Sequence, residues 1–117
     1  MKLTFVLAGL VAAACIVGFT TGDASAQDAK AIYAKECAKC HGDSGAGDGA
    51  MGQKLKDKPS NWAAGGGGLK DLDDAKIAAS IKKGGGAIGK SKAMPAYPKL
   101  SDAEVTALVA HVKSLKK

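Results

Sequence analysis

Five consecutive residues, Cys37-Ala38-Lys39-Cys40-His41, restrict this chain more than any other feature. Two thiols three residues apart, followed at once by an imidazole, form the attachment signature of c-type haem. On a helical turn Cys37 and Cys40 occupy neighbouring faces, so each thiol can add to one vinyl group of the same porphyrin. His41 follows directly and can place a ring nitrogen on the iron. One turn thus tethers the macrocycle and supplies the first axial ligand. Two other readings of Cys-x-x-Cys fit less well. A thiol redox pair leaves His41 without a purpose and expects a strand–helix–strand setting that the sequence lacks. A zinc site needs a fourth good ligand, and only His111 remains to provide it.

The N-terminus has the pattern of an export signal. Lys2 precedes an almost wholly apolar stretch over 3–19, and Ala24-Ser25-Ala26 offers a small-x-small cleavage site. The expectation is a signal peptide over 1–26, cleaved after Ala26, and a single domain over 27–117. Retention as a membrane anchor is the first alternative, since the apolar stretch lies at the lower edge of spanning length. Lipidation at Cys15 is the second, although Ala12 stands where a lipoprotein site usually carries a larger aliphatic residue.

Residues 27–117 hold two cysteines, both in the motif, so no disulfide framework is left to build. They contain only three aromatic residues, Tyr33, Trp62 and Tyr97, which makes for a thin core in a domain this small. A buried porphyrin would supply the missing apolar bulk. The same residues carry 16 lysines, no arginine and 10 acids. Lysine without arginine suits loose, water-separated docking better than bidentate clamping. No aromatic–basic interleaving of the kind that stacks bases is present, so nucleic acid is not an expected partner. Acidic protein partners, steered by long-range charge, are expected instead.

Periodicity predicts an all-α chain with three main helices separated by glycine-rich loops. The first runs from Asp28 to about Cys40 and leads into the motif. Thirteen of the sixteen glycines fall between Gly42 and Gly89, so 42–52 reads as a loop, and Pro59, Asn61 and Gly65–Gly68 mark a second. A short helix is expected from about Asp71 to Lys83, with acids in its first turn and lysines in its last. Ile77 and Ile81 share one face of it. The last helix opens on the capping box Ser101-x-x-Glu104. Val105, Leu108, Val109, Val112 and Leu115 trace its apolar stripe.

A second axial ligand must come from the other side of the iron. Met94 lies 53 residues after His41, far enough for the chain to wrap round, and Pro95 and Pro98 stiffen the segment beyond it. Met51, ten residues past His41, is read as a loop or pocket-lining residue. His111 is read as a surface histidine, because counting from Val105 turns it off the apolar stripe.

Taken together, Cys37-Ala38-Lys39-Cys40-His41-Gly42, the Ile32-Tyr33 pair before them, Met94-Pro95-Ala96-Tyr97 and the closing amphipathic helix make the chain resemble the class I mono-haem c-type cytochromes over about residues 28–116. The resemblance implies a small cytochrome c fold with packed N- and C-terminal helices around one covalent haem c. It implies His41 and Met94 as axial ligands, an exposed haem edge, and haem attachment outside the cytoplasmic membrane, in a periplasm. Two departures stand out. Ala29 occupies a position where relatives often carry glycine at the crossing of the terminal helices. Pro59, the only proline between His41 and Met94, is not clearly placed to hold the histidine ring through a carbonyl.

The resulting expectation is a soluble electron carrier rather than an enzyme, with no stable membrane insertion after signal cleavage. Trp62, Ile77, Ile81 and Tyr97 are candidates to wall the haem pocket. Lys82, Lys83, Lys90, Lys92 and Lys99 are candidates to ring its edge. The alternatives are a haem enzyme or gas sensor with a displaceable Met94, or the electron-exit subunit of a larger dehydrogenase. Gly84 to Ser91 matches the phosphate-loop pattern G-x-x-x-x-G-K-[ST], but Met94-Pro95 stops any helix after it, so nucleotide is not an expected ligand. A calcium loop over 42–52 fails as well, with Gly45 and Gly47 where acids or amides should stand.

Overall fold

A computed structural model describes residues 22–117. Helix α1 spans Gly22–Ile32 and runs into a π-helical turn, Tyr33–Cys37, and then a short helix α2, Ala38–His41. Helix α3 spans Asp74–Lys83 and α4 spans Asp102–Ser114. Three 3₁₀ turns, Gly52–Lys54, Gly67–Leu69 and Gly85–Ile88, punctuate the connections. No strand occurs among the described residues, and no helix among them is long and apolar enough to cross a membrane.

The first helix starts at Gly22 rather than Asp28. Alanine is the best helix former, and neither glycine nor proline interrupts the chain from Asp23 to His41. The Ala26–Gln27 bond therefore lies within α1. The apolar stretch 3–19 and Cys15 lie outside the described residues.

The π turn adds one residue to the helical repeat. The Ala38 N–H donates to the Tyr33 carbonyl, five residues back. Its effect shows in which positions are buried. Ala29 to Tyr33 is a step of four, whereas Tyr33 to Ala38 is a step of five. The extra residue keeps the inward face aligned through the motif, and such insertions occur preferentially near functional sites.

Helix α1 packs on α4. Ala29, 1% exposed, sits in the contact, so the small alanine preserves the close crossing. Val105, Leu108, Val109 and Val112 are buried along α4 as the stripe predicts. The capping box forms: the Glu104 N–H donates to Ser101 Oγ (3.1 Å), and the Ser101 N–H donates to Glu104 Oε1 (3.0 Å). Helix α3 begins three residues later than expected because Asp73 is its cap, accepting from the Lys76 N–H at 2.8 Å. Ile77 and Ile81 turn into the core. Two ion pairs join α3 to α4, Lys82–Asp102 (2.6 Å) and Lys113–Asp74 (2.7 Å).

His111 corrects the sequence reading. It is half-buried, and its ring meets Tyr33 edge-on at 4.9 Å. Counted from Leu108 rather than Val105, three residues at about 100° each leave it only some 60° from the stripe. It serves the α1–α4 contact, where burial and the nearby Lys30 hold its pKa below the usual histidine value.

Candidate functional site

The motif lies at the C-terminal end of the first helical run, and the chain that follows folds back over it. Gly42 reverses direction with φ +80°. The Gly47 N–H then donates to the His41 carbonyl (2.8 Å) and the Met51 N–H to the Lys39 carbonyl (2.9 Å). These bonds satisfy carbonyls that a helix end leaves open. The approach is close enough to require glycine. A Cβ on Gly49 would stand 2.5 Å from the carbonyl oxygens of both Ala38 and Lys39. From the other side, the buried Tyr33 hydroxyl donates to the Gly42 carbonyl at 2.7 Å. Burial, with Cys37 next in effect, pushes this phenol up to about 12.

Cys37 and Cys40 are free thiols, each partly buried. Burial, and secondarily the Glu36 carboxylate, pushes Cys37 up to about 11. It is therefore a protonated thiol at neutral pH, unlike the depressed thiolates of redox pairs. His41 is largely buried, and burial alone lowers it to about 4. Its imidazole is neutral at pH 7, the form that ligates metal. Its Nδ1 is buried with no hydrogen-bond partner. The Pro59 carbonyl lies against Gly47 instead. One face of the imidazole is covered by Trp62, with ring centroids 4.3 Å apart and planes inclined by 21°. Among the described residues no group of three or more His, Cys, Asp or Glu side chains is placed to hold a metal ion. Two thiols and a neutral imidazole on one helical run are the groups that attach haem c and supply its first axial ligand, and Cys37, Cys40 and His41 fit that set.

Met94 is half-buried and packs against the core. Its segment is fixed by long-range bonds. The Gly85 N–H donates to the Met94 carbonyl (3.2 Å), and the Tyr97 N–H donates to the Ile81 carbonyl at the end of α3 (2.9 Å). The Tyr97 hydroxyl reaches back 61 residues to the Glu36 carbonyl beside Cys37 (3.2 Å). Tyr97 thus ties the methionine segment to both α3 and the motif helix. No helix follows Ser91 until α4, so the phosphate-loop resemblance has no structural counterpart. Met51 is 54% exposed and lies in the loop just before the Gly52–Lys54 turn.

Lys82 pairs with Asp102 and has its charge engaged, whereas Lys83, Lys90, Lys92 and Lys99 are exposed. A cleft of about 550 Å³ lies between residues 55–57 and 89–93, bringing Lys56 alongside Lys90 and Lys92. Lys56 stands 34 residues before Lys90, and only the fold brings it there. No local pattern in the sequence could have singled it out.

Comparison with known proteins agrees with this geometry. The family described as "Cytochrome C oxidase, cbb3-type, subunit III" matches residues 24–112. The chain is 32% identical over 100 residues to the cbb3-type cytochrome c oxidase subunit CcoP of Azospirillum brasilense, covering 82% of this chain and 30% of that protein. It also resembles a chain of the Kuenenia stuttgartiensis reducing HAO-like protein complex, with TM-score 0.62 and 28% identity over 81% of this chain and 45% of that one. It thus spans less than half the length of either relative. The expected small all-α cytochrome c fold and covalent haem c both hold, and the chain belongs to the family of cbb3-type oxidase subunit III as a mono-haem c-type cytochrome, an electron-transfer domain.

Proposed function

We propose that residues 27–117 act as an exported, periplasmic one-electron carrier. Cys37 and Cys40 hold the haem, and His41 and Met94 ligate iron from opposite faces. The observation that carries this reading is the convergence at one helix end of two unpaired thiols and a neutral, buried imidazole. Haem c supplies an iron that shuttles between Fe(II) and Fe(III), and methionine opposite histidine favours the ferrous state. Trp62, Ile77, Ile81 and Tyr97 wall the pocket and exclude water. With side chains on both axial positions, the role is outer-sphere electron transfer rather than substrate turnover. Mixing reduced protein with carbon monoxide tests this. The spectrum should stay unchanged on mixing, and rapid binding would instead identify an open, enzyme-like or sensor-like site.

The acidic redox partner docks at the cleft flanked by Lys56, Lys90 and Lys92. Electron transfer to it should slow steeply as salt is raised, because screening shortens the reach of these charges. Lys90→Gln with Lys92→Gln should flatten that dependence, whereas Lys82→Gln should not. A wild-type rate indifferent to salt would rule out the cleft as the docking face.

A second reading has a specific observation in its favour. Both similar proteins carry names of larger redox assemblies, an oxidase subunit and a HAO-like complex, and both are much longer than this chain. The same site would then pass electrons within a complex. Size-exclusion chromatography of the native protein from its source separates the two, since the carrier elutes as a small monomer.

A further inference from the structure

We infer that Trp62 is a positioning residue for the axial imidazole, holding the His41 ring by stacking where no hydrogen bond holds it. The inference rests on the proposed role of His41 as a ligand. A ligating histidine usually has its second ring nitrogen anchored to a carbonyl or carboxylate, which fixes the plane of the ring. In this chain His41 Nδ1 is buried and bonds to nothing. The nearby Pro59 carbonyl lies against Gly47. What constrains the ring is the indole face, 4.3 Å away and within 21° of parallel.

The backbone that carries the indole is fixed on both sides: the Trp62 backbone N–H donates to the Gly45 carbonyl at 2.7 Å, and the Trp62 carbonyl accepts from the Gly66 N–H at 2.9 Å. Gly45 lies against both Trp62 and Leu115. A Cβ built on Gly45 would stand 3.1 Å from Trp62 Cε3 and 3.1 Å from Leu115 Cδ1. The glycine loop after the motif, the Trp62 segment and the end of α4 therefore meet around one indole. Side chains are positioned well when their supports are locked by packing, and here the support is an aromatic plane rather than a hydrogen-bond acceptor. Stacking resists tilting of the imidazole but leaves its basicity nearly untouched. A carbonyl acceptor on Nδ1 would instead raise ligand basicity. Trp62 thus fixes the orientation of the ring without increasing electron donation to iron.

The test reads orientation, not activity. In the ferric low-spin protein, the spread of the four haem-methyl proton resonances depends on the planes of the axial ligands. Trp62→Phe keeps an aromatic face and should retain the wild-type pattern. Trp62→Leu keeps apolar cover without a flat face, and its methyl resonances should shift and broaden as the ring samples several planes. A Leu variant with the wild-type pattern would overturn the inference, because apolar shielding alone would then suffice. A direct contact measurement needs no variant. In the ferrous wild-type protein, nuclear Overhauser effects are expected between the indole protons of Trp62, the only tryptophan, and the ring protons of His41. Their absence would overturn the inference even if the variants fail to mature. Loss of the stacking signature in a protein that still shows a ligated His41 defeats this inference alone. A protein in which His41→Ala leaves the haem spectrum unchanged defeats the proposed ligand set instead.

Discussion

The two glycine-rich loops on either side of the site look alike in sequence and differ physically. In the loop after the motif, glycine is needed because backbone meets backbone: a side chain at Gly49 would strike the carbonyls of Ala38 and Lys39, and one at Gly52 would strike that of Cys40. In the loop before Met94 the backbone is equally close at Gly85, where a Cβ would strike the Ser91 carbonyl, and there is more room only beyond it. A Cβ at Gly86 meets only the flexible Lys92 side chain at 3.2 Å, and one at Gly89 meets nothing within 4 Å. Turn geometry is common to both loops: φ is +89° at Gly84 and +73° at Gly89, and +80°, +75° and +75° at Gly42, Gly45 and Gly47. The first loop is a tight cover over the motif. The second closes at Gly85 and opens beyond it, and Tyr97 ties it to the end of α3. The backbone cover over the motif is therefore built locally, whereas the methionine segment, like the Trp62 stack on His41, depends on long-range contacts.

The strongest challenge to that contrast is Met94→Ala. If the methionine side depends on one residue delivered by a tethered loop, the haem should stay attached while the midpoint potential falls. The drop should be on the order of a few tenths of a volt, within the roughly 0.8 V span that axial ligation commands. Potentiometric titration measures it, and an unchanged potential would mean that another residue ligates the iron.

On the histidine side, Tyr33 offers a pH test. Its phenol is raised from 10 to about 12 in the folded protein by burial. The folded state thus retains a proton that the unfolded state releases at lower pH. The associated stability, at most roughly 3 kcal/mol, is fully present below pH 10 and lost as pH rises through about 12. Chemical denaturation at pH 8 and pH 11 should show this loss in the wild type and a smaller one in Tyr33→Phe.

Gly49→Ala should cost about 1–3 kcal/mol, the usual range for overpacking. Thermal melts of the haem-loaded protein would measure it. Tyr97→Phe, which removes only the hydroxyl bond to the Glu36 carbonyl, should cost about 0.5–1.5 kcal/mol. Its loosened methionine segment should also speed carbon monoxide entry to the reduced protein. Gly86→Ala should fall within about 0.5 kcal/mol of wild type. Equal penalties at Gly49 and Gly86 would erase the distinction between the tight cover and the open part of the second loop.

Those features of the fold that depend on neighbours in sequence were legible in the sequence. The motif, the stripe on α4 and the Ser101–Glu104 box are each written within a few turns of helix, and each appears as expected. The π turn was not legible, because Tyr33-Ala34-Lys35-Glu36-Cys37 contains nothing that marks an inserted residue. Only the buried positions 29, 33 and 38 reveal it. Helix α1 reaches back to Gly22, six residues before the expected Asp28, because the same run free of glycine and proline continues through 23–27. The stacking of Trp62 on His41, the capture of Lys82 by Asp102 and the arrival of Lys56 beside Lys90 are all tertiary events. They join residues whose separations follow no helical period, so periodicity had no means of finding them.

The central claim is that Cys37 and Cys40 bind a haem through thioether bonds. The most direct measurement is an absorption spectrum of the reduced protein, matured in a host able to assemble c-type cytochromes, taken after acid–acetone extraction. Haem bands that stay with the polypeptide, and are lost when both cysteines are changed to alanine, are the predicted result. Colour that moves into the acetone phase, or a colourless protein, would contradict it.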